Sequence, residues 1–232
     1  GLVENNTLRA YRSPIYWNYS ENSNADWLFQ NNTAIGIPFP DPYIWPKEEW
    51  SGIVAQTFSG GTVAFTGNSI DYGTSDGTAL YGFQKYSNVT AALDLDAIFA
   101  NNTWERCAVI TDGTNILNPS GTATYFYADI QDAIDDATAG DVIEVAAGTY
   151  NESTLNITKA LTMNGPNAGI PYDGTRSAEA VIEDTKIEFT NGVNGITFDG
   201  LKITGAPPSG NILLNLSSKE VSNLVIQNCV VE

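Results

Sequence analysis

Val193-Asn194-Gly195-Ile196-Thr197-Phe198-Asp199-Gly200-Leu201-Lys202-Ile203-Thr204-Gly205 alternates apolar and polar residues on either side of a two-residue break. Alternation with period two is the signature of a strand with one buried face, so Ile196 and Phe198 form one inward pair and Leu201 and Ile203 the next. Asp199-Gly200 sits between them, and such residues tolerate the left-handed backbone of a sharp corner. The same arrangement returns 28 residues later, where Leu224 and Ile226, a Gln227-Asn228 corner, and Cys229 and Val231 repeat it. Working backward, Leu155 and Ile157 pair with Leu161 and Met163, and Ile143 and Val145 open the series. Tandem short strands, fixed corners and a repeat in the twenties indicate a solenoid of stacked coils.

Immediately upstream the period changes. Ile130, Ala133, Ile134 and Ala137 recur at helical spacing, with Asp132, Asp135 and Asp136 on the opposite face. This predicts a short amphipathic helix over Asp129–Ala139, ended by Gly140. The segment Asn118-Pro119-Ser120-Gly121 carries turn residues and reads as a domain boundary.

The run Asp129-Ile130-Gln131-Asp132-Ala133-Ile134, continued through Gly140-Asp141-Val142-Ile143-Glu144-Val145 and Gly148-Thr149-Tyr150-Asn151-Glu152, resembles the opening of right-handed parallel β-helix proteins of the pectin-lyase-like fold. The stretch Ile157–Asn167 and the couplet quoted first are similar to the same pattern, so the likeness covers residues 128–232. It implies that the helix plugs the first coil. The group includes cell-surface and secreted proteins, polysaccharide lyases and hydrolases, and viral tail spikes, and fold alone does not choose among them.

Residues 1–46 are rich in Asn, Tyr, Trp and Pro. Ile37-Pro38-Phe39-Pro40-Asp41-Pro42-Tyr43 excludes helix, because each Pro removes a donor and restricts its predecessor. An extended arm is expected there. From residue 47 to 118, β-like runs such as Thr62–Phe65 and Cys107–Ile110 alternate with Asp76-Gly77 and Asp112-Gly113 turns. They suggest a small antiparallel, sandwich-like domain. The expected fold class is therefore all-β: an N-terminal arm (1–46), an antiparallel β domain (47–118), and a right-handed parallel β-helix with its N-terminal capping helix (119–232).

Ten Lys and Arg against 27 Asp and Glu give a formal charge of -17. So acidic a surface repels phosphate backbones and anionic lipid, which speaks against nucleic acid as a partner, while it keeps the chain soluble and attracts divalent cations. No apolar run approaches the length of a membrane span. Asn-x-Ser/Thr sequons occur eight times, at Asn5, Asn18, Asn31, Asn88, Asn101, Asn151, Asn156 and Asn215. That is about twice the roughly four expected by chance, which favours a secreted, glycosylated protein. Asn156 and Asn215 follow inward-pointing Leu155 and Leu214, so both are expected to point outward. Cys107 and Cys229 read as two buried thiols, with a disulfide between them as the alternative.

Catalytic chemistry is sparse. The chain has no His, the commonest general base and metal ligand. The resemblance to polygalacturonase-like enzymes therefore lacks their Gly-His-Gly turn. Arg176, the lone Arg of the β-helix half, matches the base of a Ca²⁺-dependent lyase in residue type, but reads as a loop residue. Glu183, Asp184, Glu188 and Asp199 offer carboxylate pairs for glycosidase chemistry if coils bring two of them together. Asp71 and Asp76 in the loop Asp71–Gly77 are weak Ca²⁺ ligand candidates, without EF-hand spacing. Trp17, Trp27, Trp45, Trp50 and Trp104 can stack on sugars or fill a core. No catalytic residue is assigned. The expected function is an extracellular structural protein: a subunit of a surface layer, appendage or filament, or an adhesin stalk. Val230-Val231-Glu232 ends without a polar cap, which points to self-association or further chain there. The alternative is a carbohydrate-active protein.

Overall fold

The computed structural model describes residues 1–10, 13–17, 26–37, 50–56, 61–72, 79–86, 89, 93–121, 123–206, 214–217 and 219–232. It is all-β, with mainly parallel sheets, and divides into two compact units. Unit 1 holds residues 1–105 and 120–128, and unit 2 holds residues 106–119 and 129–232. Among the described residues no helix is long and apolar enough to cross a membrane.

Unit 1 runs three times through the same circuit: β1 (Leu2–Glu4), β2 (Thr7–Ala10) and β3 (Ile15–Trp17); β4 (Trp27–Gln30), β5 (Thr33–Gly36) and β6 (Trp50–Ala55); β7 (Val63–Thr66), β8 (Ser69–Asp71) and β9 (Ala79–Tyr86). Strands at equivalent places pair in parallel, giving the columns β1-β4-β7, β2-β5-β8 and β3-β6-β9. A fourth pass places helix α1 (Leu95–Ala100) ahead of β10 (Thr103–Trp104), which extends the second column in parallel beyond β8. In-register Phe29 and Phe65 stack with centroids 5.0 Å apart, and buried Ile53 pairs with buried Phe83. Such pairs bury apolar area between rungs, worth about 1.5–3 kcal/mol for each large side chain.

This corrects the expected N-terminal architecture. Described residues 2–36 form strands in parallel sheets rather than an arm, although the Pro-rich stretch Pro38–Tyr43 lies outside the described residues. Within residues 47–118, expected to pair antiparallel, β6 pairs with β9 and β8 with β10 in parallel. The physical reason is loop length. Returns of ten residues or more between equivalent strands allow the chain to come back in the same direction, whereas tight turns would force antiparallel neighbours. The antiparallel ladder of this unit joins β9 to β12 (Ala123–Tyr127), which brings residues 120–128 back to unit 1 past the boundary expected at residue 118.

Unit 2 begins with β11 (Ala108–Thr111), antiparallel to β13 (Val142–Val145). Between them lies α2 (Ile130–Asp136), whose Ile130, Ala133 and Ile134 are buried as the helical spacing predicts. The helix is shorter than expected. It ends before Ala137, which is extended and buried, because Lys159 Nζ donates to the carbonyls of Ile134, Asp135 and Ala137 at 2.9, 3.0 and 2.7 Å. From β13 the chain passes through β14 (Gly148–Tyr150) and β15 (Thr154–Ile157), then β16 (Leu161–Asn164), β17 (Ala180–Glu183) and β18 (Lys186–Phe189). The next pass is β19 (Asn194–Asp199), β20 (Lys202–Thr204) and β21 (Leu214–Asn215), followed by β22 (Ser222–Gln227) and β23 (Val230–Val231). Equivalent strands again stack in parallel, as β13-β16-β19-β22, β14-β17-β20-β23 and β15-β18-β21. Their inward residues form columns: Ile143, Met163 and Phe198 in the first, Tyr150, Ile182 and Ile203 in the second, and Leu155 with Ile187 in the third. All eight are buried to within 1 % of full enclosure.

Candidate functional site

In both units, polar side chains form lines from rung to rung. The longest begins where the chain turns from the first column of unit 1 into the second. There Asn5-Asn6-Thr7, Asn31-Asn32-Thr33, Gly67-Asn68-Ser69 and Asn101-Asn102-Thr103 occupy successive rungs. The middle residues join. Asn6 Nδ2 donates to Asn32 Oδ1 at 3.0 Å, Asn32 Nδ2 to Asn68 Oδ1 at 3.0 Å, and Asn68 Nδ2 to Asn102 Oδ1 at 2.9 Å. Each Oδ1 also accepts the backbone N–H of the preceding ladder residue. Each Nδ2 reaches a carbonyl as well, of Glu4, Val3, Phe29 and Phe65 in turn. Asn102 closes the series by donating to the carbonyl of Ile98 in α1. Asn32, Asn68 and Asn102 are buried and bonded through both side-chain atoms, as buried amides require.

This ladder changes the meaning of the sequons. Asn5 and Asn31 precede ladder residues and hold left-handed backbone angles, φ 58 and 55. Asn101 occupies the same place at the end of α1, and Gly67 occupies it in the third rung without forming a sequon. At Asn5, Asn31 and Gly67 the turn takes a residue tolerant of that bend, while Asn101 holds φ -99; a ladder Asn and a β-forming Thr or Ser follow in each. Three of the eight sequons therefore coincide with a structural repeat, where Asn5, Asn31 and Asn101 are exposed, and the five that remain are close to the roughly four expected by chance. Of those five, Asn151 and Asn156 are exposed. Asn215 donates to Glu188 Oε1 at 3.1 Å and accepts from Ser217 N–H. Asn18 and Asn88 lie outside the described residues.

In unit 2 the outer face of the first column carries Glu144, Asn164, Asp199 and Gln227 on successive rungs. Asn164 Nδ2 donates to Glu144 Oε1 at 2.9 Å, and Gln227 Nε2 to Asp199 Oδ2 at 2.8 Å. Asp199 Oδ1 further accepts from Asn228 Nδ2 and from Gly169 N–H in the loop between β16 and β17. The two carboxyls are driven apart. Burial raises Glu144 above its ordinary value, against the pull of the Asn164 bond. Burial also presses Asp199 upward, but the bonds from Asn228, Gly169 and Gln227 outweigh it and leave that carboxyl lowered. Aligning the couplets brings Asn164, Asp199 and Gln227 together, each after the second inward residue of its pair, whereas Glu144 falls between Ile143 and Val145 and joins them only through the observed register.

The other candidates do not converge. Glu183 ends β17 and Glu188 lies on β18, in different columns from Asp199. Asp184 forms a left-handed corner whose carboxylate accepts from Ala206 N–H. Glu188 meets Lys186 and Asn215, and those two bonds lower its carboxyl. Arg176 is a brace. Its Nε and Nη2 donate to the Glu179 carboxylate, and Nη1 donates to the carbonyls of Ile170 and Asn228. The Glu179 bond raises the guanidinium further, so it stays charged. Among the described residues no group of three His, Cys, Asp or Glu gathers as metal ligands; Asp71 lies at the end of β8 and Asp76 lies outside the described residues. Cys107 and Cys229 are free thiols, and burial raises both. Trp27, Trp17 and Phe29 pack against one another, with Trp17 and Trp27 centroids 4.4 Å apart, so these rings contact each other.

No protein-family model, curated protein or solved structure matches this chain. Fold and site define a class by physics alone: an all-β chain of parallel strand columns whose polar side chains tie each rung to the next.

Proposed function

We propose that both units are stretches of right-handed parallel β-helix and that the protein is an extracellular structural element, a subunit of a surface layer, appendage or filament, or an adhesin stalk. The handedness follows from the rule that parallel crossovers wind to the right. The observation that carries the reading is the use made of polar side chains. The Asn ladder, Asn164 on Glu144, Gln227 and Asn228 on Asp199, and Asn215 on Glu188 all bond adjacent rungs. Groups so engaged stiffen a stack rather than face a ligand. Placement outside the cell rests on the resemblance to secreted β-helix proteins, with Asn151 and Asn156 as exposed glycan acceptors. Negative-stain microscopy over a concentration series tests assembly. Ordered oligomers or filaments are expected, and strictly monomeric particles at high concentration count against it.

A second reading, a carbohydrate-active β-helix protein, is favoured by one observation. Glu144 and Asp199 lie two rungs apart on one outer face with their carboxyls shifted in opposite directions, as an acid and a base require. Turnover of an acidic polysaccharide, with or without Ca²⁺, that Glu144→Gln abolishes without lowering the melting temperature would replace the structural reading with this one.

A further inference from the structure

Helix α2 is capped by another strand turn rather than by its own N-terminal neighbour. Asp129 stands at the N-cap position, yet its side chain makes no capping bond. Instead Glu152, in the turn between β14 and β15, accepts Ile130 N–H at 2.7 Å through Oε1 and Gln131 N–H at 3.0 Å through Oε2. Its backbone N–H donates to Thr185 Oγ1 in the next rung at 2.9 Å, so the capping residue is itself fixed. The charged surroundings are unbalanced. Helix α2 brings Asp129 and Asp132 to this end, with Asp135 and Asp136 behind them. The segment before β11 brings Arg106, 3.8 Å from Asp129. The Tyr150 phenol and Cys107 thiol nearby are both raised by burial and stay neutral at physiological pH. On the next rung, Lys186 is engaged with Glu188. Three partly enclosed carboxyls thus face one guanidinium.

We propose that Glu152 is a proton-controlled latch: carrying a proton, it holds α2 against the coil, and in alkaline surroundings three ionised carboxylates against one guanidinium loosen the helix and uncover Ile130, Ala133 and Ile134. A protonated carboxyl keeps one carbonyl oxygen for a helix N–H while its other oxygen becomes a hydroxyl, so the cap persists through one of its two bonds after proton uptake. Burial is the main force pushing the Glu152 carboxyl up to about 7, from an ordinary 4.5. Asp129 and Asp132 push the same way, while the two backbone bonds oppose. Asp129 and Asp132 are likewise raised, in each case chiefly by burial. When the helix opens, Glu152 regains its ordinary affinity. Closure is therefore favoured fully below about 4.5, weakens as pH rises from there to about 7, and is weakest above.

Hydrogen exchange of the α2 amides, corrected for intrinsic rates and referred to β19 in the same molecule, tests the latch. Between pH 5 and 7, α2 protection is expected to fall by up to about tenfold per pH unit relative to β19, then to level off. Glu152→Gln, which keeps a carbonyl acceptor, should remove that slope. Protection of α2 that is flat or rises with pH in the natural chain overturns the proposal, as does a slope that Glu152→Gln leaves intact. If the variant does not fold, carboxyl NMR of Glu152 in the natural chain decides: a midpoint near 7 supports the latch, and one at the ordinary Glu value overturns it.

Discussion

At the scale of single residues, corners decide whether the rungs can approach. Gly200 has φ +68, and a Cβ built there would lie 2.0 Å from the backbone nitrogen of Ala168 and 2.1 Å from the carbonyl carbon of Asn167. Those atoms are backbone and cannot swing aside, so Gly200→Ala must displace the loop that Asp199 and Arg176 hold. Overpacking and left-handed strain together are expected to cost about 3 kcal/mol or more. Gly140 is the control: it has φ +99 but nothing within 4 Å of the added Cβ. Gly140→Ala should cost only about 1 kcal/mol, the backbone term alone. Urea midpoints of the two variants check the difference, and equal losses would show that close approach at Gly200 does not matter.

At the scale of elements, the ladder is the feature with the clearest energetic consequence. Truncating Asn68 removes the acceptor for the Asn32 side chain and backbone N–H, and the donor to Phe29 and Asn102, all in a buried site. Stranded buried polar groups are costly, so Asn68→Ala is expected to destabilise unit 1 by about 3–5 kcal/mol. Exposed Asn6 loses similar bonds but water replaces them, and Asn6→Ala should cost about 1 kcal/mol. Denaturation curves of both variants test the ordering, and Asn6→Ala matching Asn68→Ala would refute a ladder that stabilises through burial. The same element shows what was legible in sequence. Unit 2 could be read because its couplets keep strict alternation around short corners, as in Ile196–Ile203. Unit 1 resisted because long stretches of chain separate its short strands, as between β5 and β6, and dilute their alternation. Its repeat was nevertheless visible as four Asn-containing turns, three of which read as glycosylation motifs because they begin with Asn and end with Thr. The column of Glu144, Asn164, Asp199 and Gln227 needed register, which alternation alone does not supply. The capping bond from Glu152 to α2 crosses more than twenty residues and follows no local rule.

At the scale of the whole molecule, carboxyls shifted in opposite directions shape stability against pH. Asp129, Asp132, Glu144 and Glu152 are raised, chiefly by burial. The folded state holds their protons more tightly, so their contribution is complete below ordinary carboxylate values and is lost as pH rises through the folded ones, which for Glu152 means up to about 7. Glu179, lowered by its Arg176 bond, and Asp199, lowered where three bonds outweigh burial, act the other way. Their contribution is complete above ordinary carboxylate values and is lost on acidification. The two sets meet near pH 5, where the urea midpoint should peak, falling toward pH 3 and toward pH 8. General repulsion among the charges behind the formal -17 also weakens the folded state on the alkaline side. Salt separates the two causes. At high ionic strength the repulsion between exposed charges is screened, while the penalty for ionising the enclosed Glu152 persists. A fall between pH 5 and 8 that survives salt and shrinks in Glu152→Gln assigns the limb to that carboxyl. A fall that salt abolishes assigns it to net charge, and a midpoint rising steadily to pH 8 would mean that the raised carboxyls do not control this fold.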